Sequence, residues 1–81
     1  MGWIKIDEPT FSFPDGYILN SAHVNTFYVV KCKGEKDLYQ LNCEDGETTY
    51  LLLESTKEDV FNAFSRLERW LESGAEGVFQ I

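Results

Sequence analysis

Residues 24–54, VNTFYVVKCKGEKDLYQLNCEDGETTYLLLE, contain the strongest strand signals of the chain and decide its fold. The first part of this stretch is rich in β-branched and aromatic residues, which favour strands. Two clusters of turn residues, at 34–37 and 44–46, divide the stretch, and both contain glycine and aspartate, which are typical of hairpins. The pattern predicts an antiparallel meander. Its strands are residues 24–33, 38–43 and 48–54.

A helix is predicted directly after the meander. Ser55 and Thr56 precede Glu58 and Asp59 at the spacing of a capping box, in which a hydroxyl and a carboxylate satisfy free backbone amides. Apolar residues then recur every three or four positions, which indicates one apolar helix face. Gly74 favours termination. The predicted helix covers about residues 56–73, and its apolar face consists of Val60, Ala63, Phe64, Leu67, Trp70 and Leu71.

Shorter strand signals flank these elements at residues 3–6, 11–13 and 17–19, and residues 77–81 form either a last edge strand or a tail against the core. The predicted fold class is α+β, with an antiparallel β-meander of about four to five strands packed on one C-terminal amphipathic helix. A chain of 81 residues is within the size of one compact domain. We therefore expect residues 1–81 to form a single domain.

Composition limits the class of protein. Hydrophobic residues make up 43% of the chain, which is enough for a core despite the net charge of −7. Fourteen acidic residues against seven basic ones repel phosphate backbones, so we expect no direct binding to nucleic acid. No apolar run has the length of a signal peptide or a membrane span. The sequence thus predicts a cytoplasmic protein without membrane contact.

The length of the first turn sets the register of the first hairpin. A two-residue turn at 35–36 places Cys32 opposite Tyr39, and Cys43 opposite Tyr28. The cysteines then share one face of the sheet but lie roughly 13 Å apart along the ladder. A disulfide needs Cα atoms within about 7 Å of each other. We therefore expect two free thiols in a reducing compartment.

The second hairpin leaves two alternatives for its register. A two-residue turn at 45–46 places Glu44 opposite Glu47, and it sends Leu51 and Leu53 to the outer face. A three-residue loop with its glycine in the left-handed conformation turns both leucines to the core face instead. The second alternative avoids a pair of like charges and is the preferred prediction.

The predicted register of the first hairpin places Phe27, Val29 and Leu38 on the face of the sheet away from the helix. Apolar groups there need a cover, which is the chain's own segment 3–13, a second copy of the chain or a partner. We hypothesise that these three residues bind a protein partner or form a homodimer. On this hypothesis the protein is a non-enzymatic interaction module.

Residues that carry chemistry are few. His23 is the only histidine, and it stands in no supported order for a catalytic triad. The glycines are isolated turn or cap residues and do not form a phosphate-binding loop. The two cysteines lack the spacing of a zinc site. We therefore expect no catalytic residue, no bound metal and no cofactor.

Residues 17–71 resemble many short uncharacterised bacterial and phage proteins. The resemblance rests on the run YILNSAHV at 17–24, the Asp45-Gly46 dipeptide and the sequence STKED at 55–59 before a helix. It implies a fold of a β-meander followed by a helix, which is sometimes likened to half of a pleckstrin-homology domain. It implies no catalytic residues.

An alternative function rests on the acidic residues. Small acidic proteins that resemble DNA-mimic or anti-CRISPR-type inhibitors block a host nucleic-acid-binding complex by presenting carboxylates where phosphates would lie. Lysines and arginines interrupt the acidic row here, and a solvated surface that keeps a small domain soluble explains the same residues. The candidate acidic surface consists of Glu44, Asp45, Glu47, Glu58, Asp59, Glu68 and Glu72.

Overall fold

The strands are divided between two sheets, each joined through the core to one helix. A computed structural model describes residues 2–7, 15–34 and 36–81. Within these residues the fold is α+β with a C-terminal helix, so the predicted fold class is confirmed. The elements are β1 (Gly2–Ile6), β2 (Tyr17–Asn20), a 3-10 helix (Ser21–His23), β3 (Thr26–Lys31), β4 (Tyr39–Glu44), β5 (Thr49–Ser55), α1 (Lys57–Glu72) and β6 (Gly77–Gln80).

The meander forms only one of the two sheets. Its strand order is β3-β4-β5, and both neighbouring pairs are antiparallel. The other sheet has the order β2-β1-β6, with β1 antiparallel to β2 and parallel to β6. Residues 77–80 are therefore an edge strand, which was one of the two predicted alternatives. The strand predicted at 11–13 lies outside the described residues.

The ends of α1 follow the capping signals of the sequence. Thr56 is the N-cap, and its hydroxyl accepts a hydrogen bond from the backbone N–H of Asp59 at 3.3 Å. The hydroxyl of Ser55 donates to the Asp59 carboxylate at 2.8 Å. At the other end, Gly74 has a φ of 106°, which glycine adopts without the cost of a Cβ clash. The predicted helix is confirmed to within one residue at each end.

The core is one cluster to which both sheets and the helix contribute. Val60, Ala63 and Leu67 form the buried stripe of α1. At the end of the helix, the rings of Trp70 and Phe79 lie 5.4 Å apart, and this contact joins α1 to β6. The buried apolar residues are Ile4, Ile6, Leu41, Cys43, Leu52, Val60, Ala63, Leu67 and Phe79.

The predicted register of the first hairpin is wrong by one residue. Tyr39 pairs with Lys31, and Cys43 pairs with Phe27. The last hydrogen bond before the turn runs from the backbone N–H of Cys32 to the carbonyl of Leu38, at 2.9 Å. The connection between these two residues is therefore longer than the predicted two residues. A shift of one residue moves every side chain of a strand to the other face of the sheet.

The shift places the more apolar set of β3 side chains against the core. Phe27 and Val29 pair with Cys43 and Leu41, and both pack against the core cluster. Tyr28 turns to the other face, where its hydroxyl donates to the Glu44 carboxylate at 3.3 Å. The observed register therefore buries apolar side chains and leaves a phenol at the sheet face where it has a polar partner.

Neither predicted register of the second hairpin is present. Glu44 pairs with Thr49. Further along β5 there is a bulge, where two residues of β5 lie opposite one residue of β4. Before the bulge, Leu51 lies on the face away from the helix. After it, Leu53 lies on the helix face, while Leu52 is fully buried in the core. The preferred prediction was right for Leu53 and wrong for Leu51.

Both cysteines are free, but they lie on opposite faces of the second sheet, contrary to the prediction. Cys43 points into the core, and burial raises the pKa of its thiol to about 12. Cys32 lies on the other face, 3.6 Å from a carboxylate oxygen of Glu54. Desolvation, followed by the hydrogen bond and the charge of Glu54, raises the pKa of the Cys32 thiol above its ordinary value of 9.0.

Truncation of the leucine at the bulge tests the core. We expect Leu52→Ala to lower the free energy of unfolding by about 2–5 kcal/mol, because the side chain is fully buried and leaves a cavity. Val78→Ala is the control, because Val78 is 63% exposed and its loss should change stability by less than about 0.5 kcal/mol. Urea unfolding measures both. Equal effects would contradict the placement of Leu52.

Thiol titration tests the separation of the cysteines. In the native protein at about pH 8 we expect a chromogenic disulfide reagent to modify Cys32 slowly and Cys43 only after unfolding, because the thiolate is the reactive form. Glu54→Gln removes a nearby negative charge and should speed the modification of Cys32. Cys32→Ser should abolish the native reaction. Fast labelling of the Cys32→Ser protein would show that Cys43 is not buried.

Candidate functional site

The three predicted binding residues do not share a face of the sheet. Phe27 and Val29 lie on the side that α1 covers, whereas Leu38 lies on the opposite side, next to Cys32. The prediction that all three form one outer surface is therefore wrong, and the register of the first hairpin is the reason. All three remain half-buried rather than fully buried.

Phe27 instead forms one wall of an apolar cleft between β3 and α1. The cleft has a volume of about 220 Å³. Leu67 is almost fully buried at its base, and Leu71, at 38% exposure, stands at its rim. The one charged residue of the lining is Glu68. The lining consists of Phe27, Phe64, Leu67, Glu68 and Leu71.

The helix explains why these side chains meet. Phe64, Leu67 and Leu71 recur at intervals of three and four residues, so they share a face of α1. Glu68 is one turn beyond Phe64 and lies on the flank of that face. The apolar pattern of α1 predicts all three residues as core. The apolar stripe is broader than one sheet strand can bury, and this width was the available signal that part of it forms a cleft.

The charged residues beside β3 differ between its two ends. The ring of Phe61, near the start of α1, contacts Tyr39 at 6.0 Å between centroids, and Tyr39 pairs with Lys31 at the end of β3. The helix therefore runs antiparallel to β3. Glu68 lies at the Phe27 end, while Lys31 lies at the other end and meets Asp37 at 3.6 Å in an exposed pair.

The cleft runs along an open edge of the sheet. Among residues 2–7, 15–34 and 36–81, no strand pairs with the side of β3 that faces away from β4. Cys32 and Leu38 form a hydrogen-bonded pair, and such pairs occur at every second residue of an antiparallel ladder. In β3 the hydrogen-bonded residues are therefore Val30 and Tyr28. The backbone N–H and C=O groups of Phe27 and Val29 consequently point away from β4, towards the open edge. Their side chains point towards the helix.

The acidic residues of the alternative hypothesis are divided between the two ends of the meander. Glu44, Asp45 and Glu47 lie at the turn between β4 and β5, whereas Glu58 and Asp59 lie at the start of α1. The length of β4, roughly 16–20 Å for six residues, separates the two groups. Glu68 and Glu72, towards the end of α1, complete the set, and the acidic inhibitor remains a prediction.

Asp45 holds the second hairpin together. Its carboxylate accepts hydrogen bonds from the backbone N–H groups of Glu47 at 2.9 Å and Thr48 at 2.8 Å. The hydroxyl of Tyr50 donates to the same carboxylate at 3.2 Å. These groups, the two backbone amides first, hold the pKa of Asp45 below its ordinary value of 3.8. Asp45 is thus a turn-stabilising residue.

His23 lies at a second concavity, of about 330 Å³, between the 3-10 helix and the second hairpin. His23 itself is exposed and ends the 3-10 helix. The nearest acid and phenol of this lining, Asp45 and Tyr50, already bond to each other. Within the described ranges, no three histidine, cysteine, aspartate or glutamate side chains come together as metal ligands.

A second exposed apolar surface lies on the outer face of the first sheet. Trp3, Ile18 and Val78 are 39%, 58% and 63% exposed and project from three neighbouring strands. Trp3, predicted as a cover for the meander, therefore lies on a different sheet. Phe11 and Phe13, the other predicted covering residues, lie outside the described residues. No helix in the described part of the chain is both long and apolar enough to cross a membrane.

Removal of the Asp45 charge tests its role in the turn. A carboxyl group whose pKa is lower in the folded than in the unfolded state stabilises the fold at pH values above its unfolded-state pKa. This stabilisation is lost as the pH falls through the folded-state pKa. We expect Asp45→Asn to be less stable than the parent at pH 7 and the difference to shrink below about pH 4. Thermal unfolding across this range measures it. A difference independent of pH would contradict the assignment.

Comparison with known proteins adds no assignment to these surfaces. No family model, no curated protein and no solved structure matches the chain. The resemblance of residues 17–71 to bacterial and phage proteins stays a prediction. The function is therefore argued from the geometry of the cleft and the open edge.

Proposed function

We propose that the chain is a non-enzymatic protein-interaction module, and that a protein partner binds in the cleft between β3 and α1. The observation that carries this proposal is the position of an open sheet edge directly beside an apolar cleft. Hydrogen-bonding groups and an apolar recess are thereby presented on the same side of the molecule. Such a combination is typical of domains that bind a segment of another protein.

The composition of β3 supports this proposal. Its sequence, TFYVVK, contains no proline, and its only charged residue is at the end. Natural proteins avoid leaving such an edge open, because it pairs with other chains and leads to aggregation. Charged residues, prolines, bulges or a covering element are the usual protection. A partner that covers β3 would supply the protection against aggregation that the strand itself lacks.

The exposed face of the first sheet is the weaker candidate for the main binding site. Trp3, Ile18 and Val78 form an open surface, and Lys5, also on that face, carries a charge that meets Asp7 at 3.8 Å. The cleft at β3 offers concave apolar walls together with backbone groups that no strand in the described part of the chain pairs with. Concave sites bury more of a ligand than flat ones do, so they bind a short segment more tightly.

Crosslinking from the cleft tests the proposal. A photoreactive phenylalanine analogue at Leu71 should form a covalent adduct with one defined protein in cells of the source organism, because the residue is at the rim of the cleft. The control position is Asn62, which is exposed on α1 and faces away from the sheet. An adduct of twice the chain mass would identify the partner as a second copy.

The proposal requires adducts from Leu71 that Asn62 does not give. Identical adducts from both positions, or none from Leu71, would overturn it. Thermal unfolding of the two substituted proteins checks that each is folded. Both positions lie on the same helix and are exposed, so the comparison isolates the cleft.

A further inference from the structure

We infer that the occupant of the cleft is an extended segment that pairs with β3 as an added strand, with an apolar side chain in the cleft and a lysine or arginine facing Glu68. This inference rests on the proposed function and specifies the chemistry of the partner.

The direction of the backbone groups of β3 argues for a strand rather than a helix in the cleft. Phe27 and Val29 each present an N–H and a C=O to the open edge, because the bonded pairs of the ladder lie at the alternate positions. An added strand satisfies these groups in register. A helix has no free backbone groups along its length and would leave them unpaired.

The same two residues direct their side chains towards α1. An added strand continues the alternation of the sheet, so every second side chain of the segment also points towards α1. One of these side chains reaches the recess walled by Phe27, Phe64 and Leu71. The volume of about 220 Å³ accommodates one aliphatic side chain and part of its neighbours. An apolar residue is required there because the walls offer it no polar partner.

The negative charge of Glu68 determines the second property of the bound segment, which is a basic residue. Glu68 borders the recess, and Glu72 follows it by one helical turn on the same flank of α1. Both are exposed, and neither forms an ion pair among the described residues. Side chains on one face of a strand are about 7 Å apart, which is close to the distance between successive helical turns. A lysine or arginine two positions from the apolar residue, towards the end of α1, therefore comes to lie beside Glu72, and its long side chain reaches back to Glu68.

The far end of β3, outside the cleft, disfavours a second basic residue. Lys31 lies at the end of β3, where it meets Asp37, and Lys57 lies in the first turn of α1, 6.0 Å from the ring of Phe61. The side chains along this edge thus change from the carboxylate of Glu68 to these two ammonium groups. These charges favour a segment whose basic residue lies at the Phe27 end of β3. The net charge of −7 further favours basic partners.

Selection from a random decapeptide library displayed on phage, with the full chain as bait, tests the inference. We expect the enriched peptides to share an apolar residue with lysine or arginine two positions away. The same selection on Glu68→Lys should replace the basic residue by aspartate or glutamate. Glu58→Lys makes the same change of charge at the other end of α1 and should leave the preference unchanged.

N-methylation of the enriched peptide tests strand pairing. Methylation of alternate backbone amides should weaken binding by about tenfold or more at one set of positions and leave it nearly unchanged at the other, because only one set donates to β3. Uniform sensitivity, or none, would overturn pairing with β3. A preference that does not invert on Glu68→Lys would overturn the role assigned to the charge.

The outcomes separate this inference from the proposed function. Peptides that bind without an alternating pattern, and lose binding on Leu71→Lys, would overturn strand addition but keep the cleft as a binding site. Enriched peptides that bind Leu71→Lys as tightly as the parent would overturn both. Leu71 is at the surface, so this change leaves the core intact, and thermal unfolding verifies it.

Discussion

The arrangement of the rest of the molecule depends on the register of β3 against β4, in which the backbone N–H of Cys32 donates to the carbonyl of Leu38. Because side chains alternate along a strand, this pairing determines which residues meet the helix. It turns Phe27 and Val29 towards α1 and directs their backbone groups to the open edge. With the register moved by one residue, Tyr28 would replace Phe27 on the helix side and β3 would present different groups to a partner.

Two further contacts join the first sheet to this framework. The ring of Trp70 packs on Phe79, and its indole N–H donates to the carbonyl of Glu76 at 2.9 Å, which sets the path from α1 into β6. At the opposite edge, the hydroxyl of Tyr17 donates to the carbonyl of Leu51, and its ring lies 6.0 Å from that of Tyr50. Burial raises the pKa of Tyr17 to about 12, above its ordinary value of 10.0.

Features encoded by neighbouring residues were predictable from the sequence. The cap at Thr56 and the spacing of the apolar residues define α1 locally, and the helix lies where they place it. The registers of both hairpins were not predictable, because each depends on a turn or a bulge whose geometry is decided by burial. Leu52 shows this clearly, since two residues of β5 occupy the space of one and allow it to enter the core. The sequence identified most of the cleft residues as apolar. Which of them belong to the core and which line the cleft could be decided only from the observed register.

The parallel pairing of β1 with β6 has a consequence for the order in which the chain folds. Gln80 reaches the carbonyl of Lys5 across 75 positions of sequence. The central strand of the first sheet acquires its last neighbour only when the following 70 or so residues have been synthesised. Until then the side chains of Ile4 and Ile6 lack the cover that Phe79 provides. The strands of the meander and the helix that follows them are adjacent in sequence, so their contacts do not require β6.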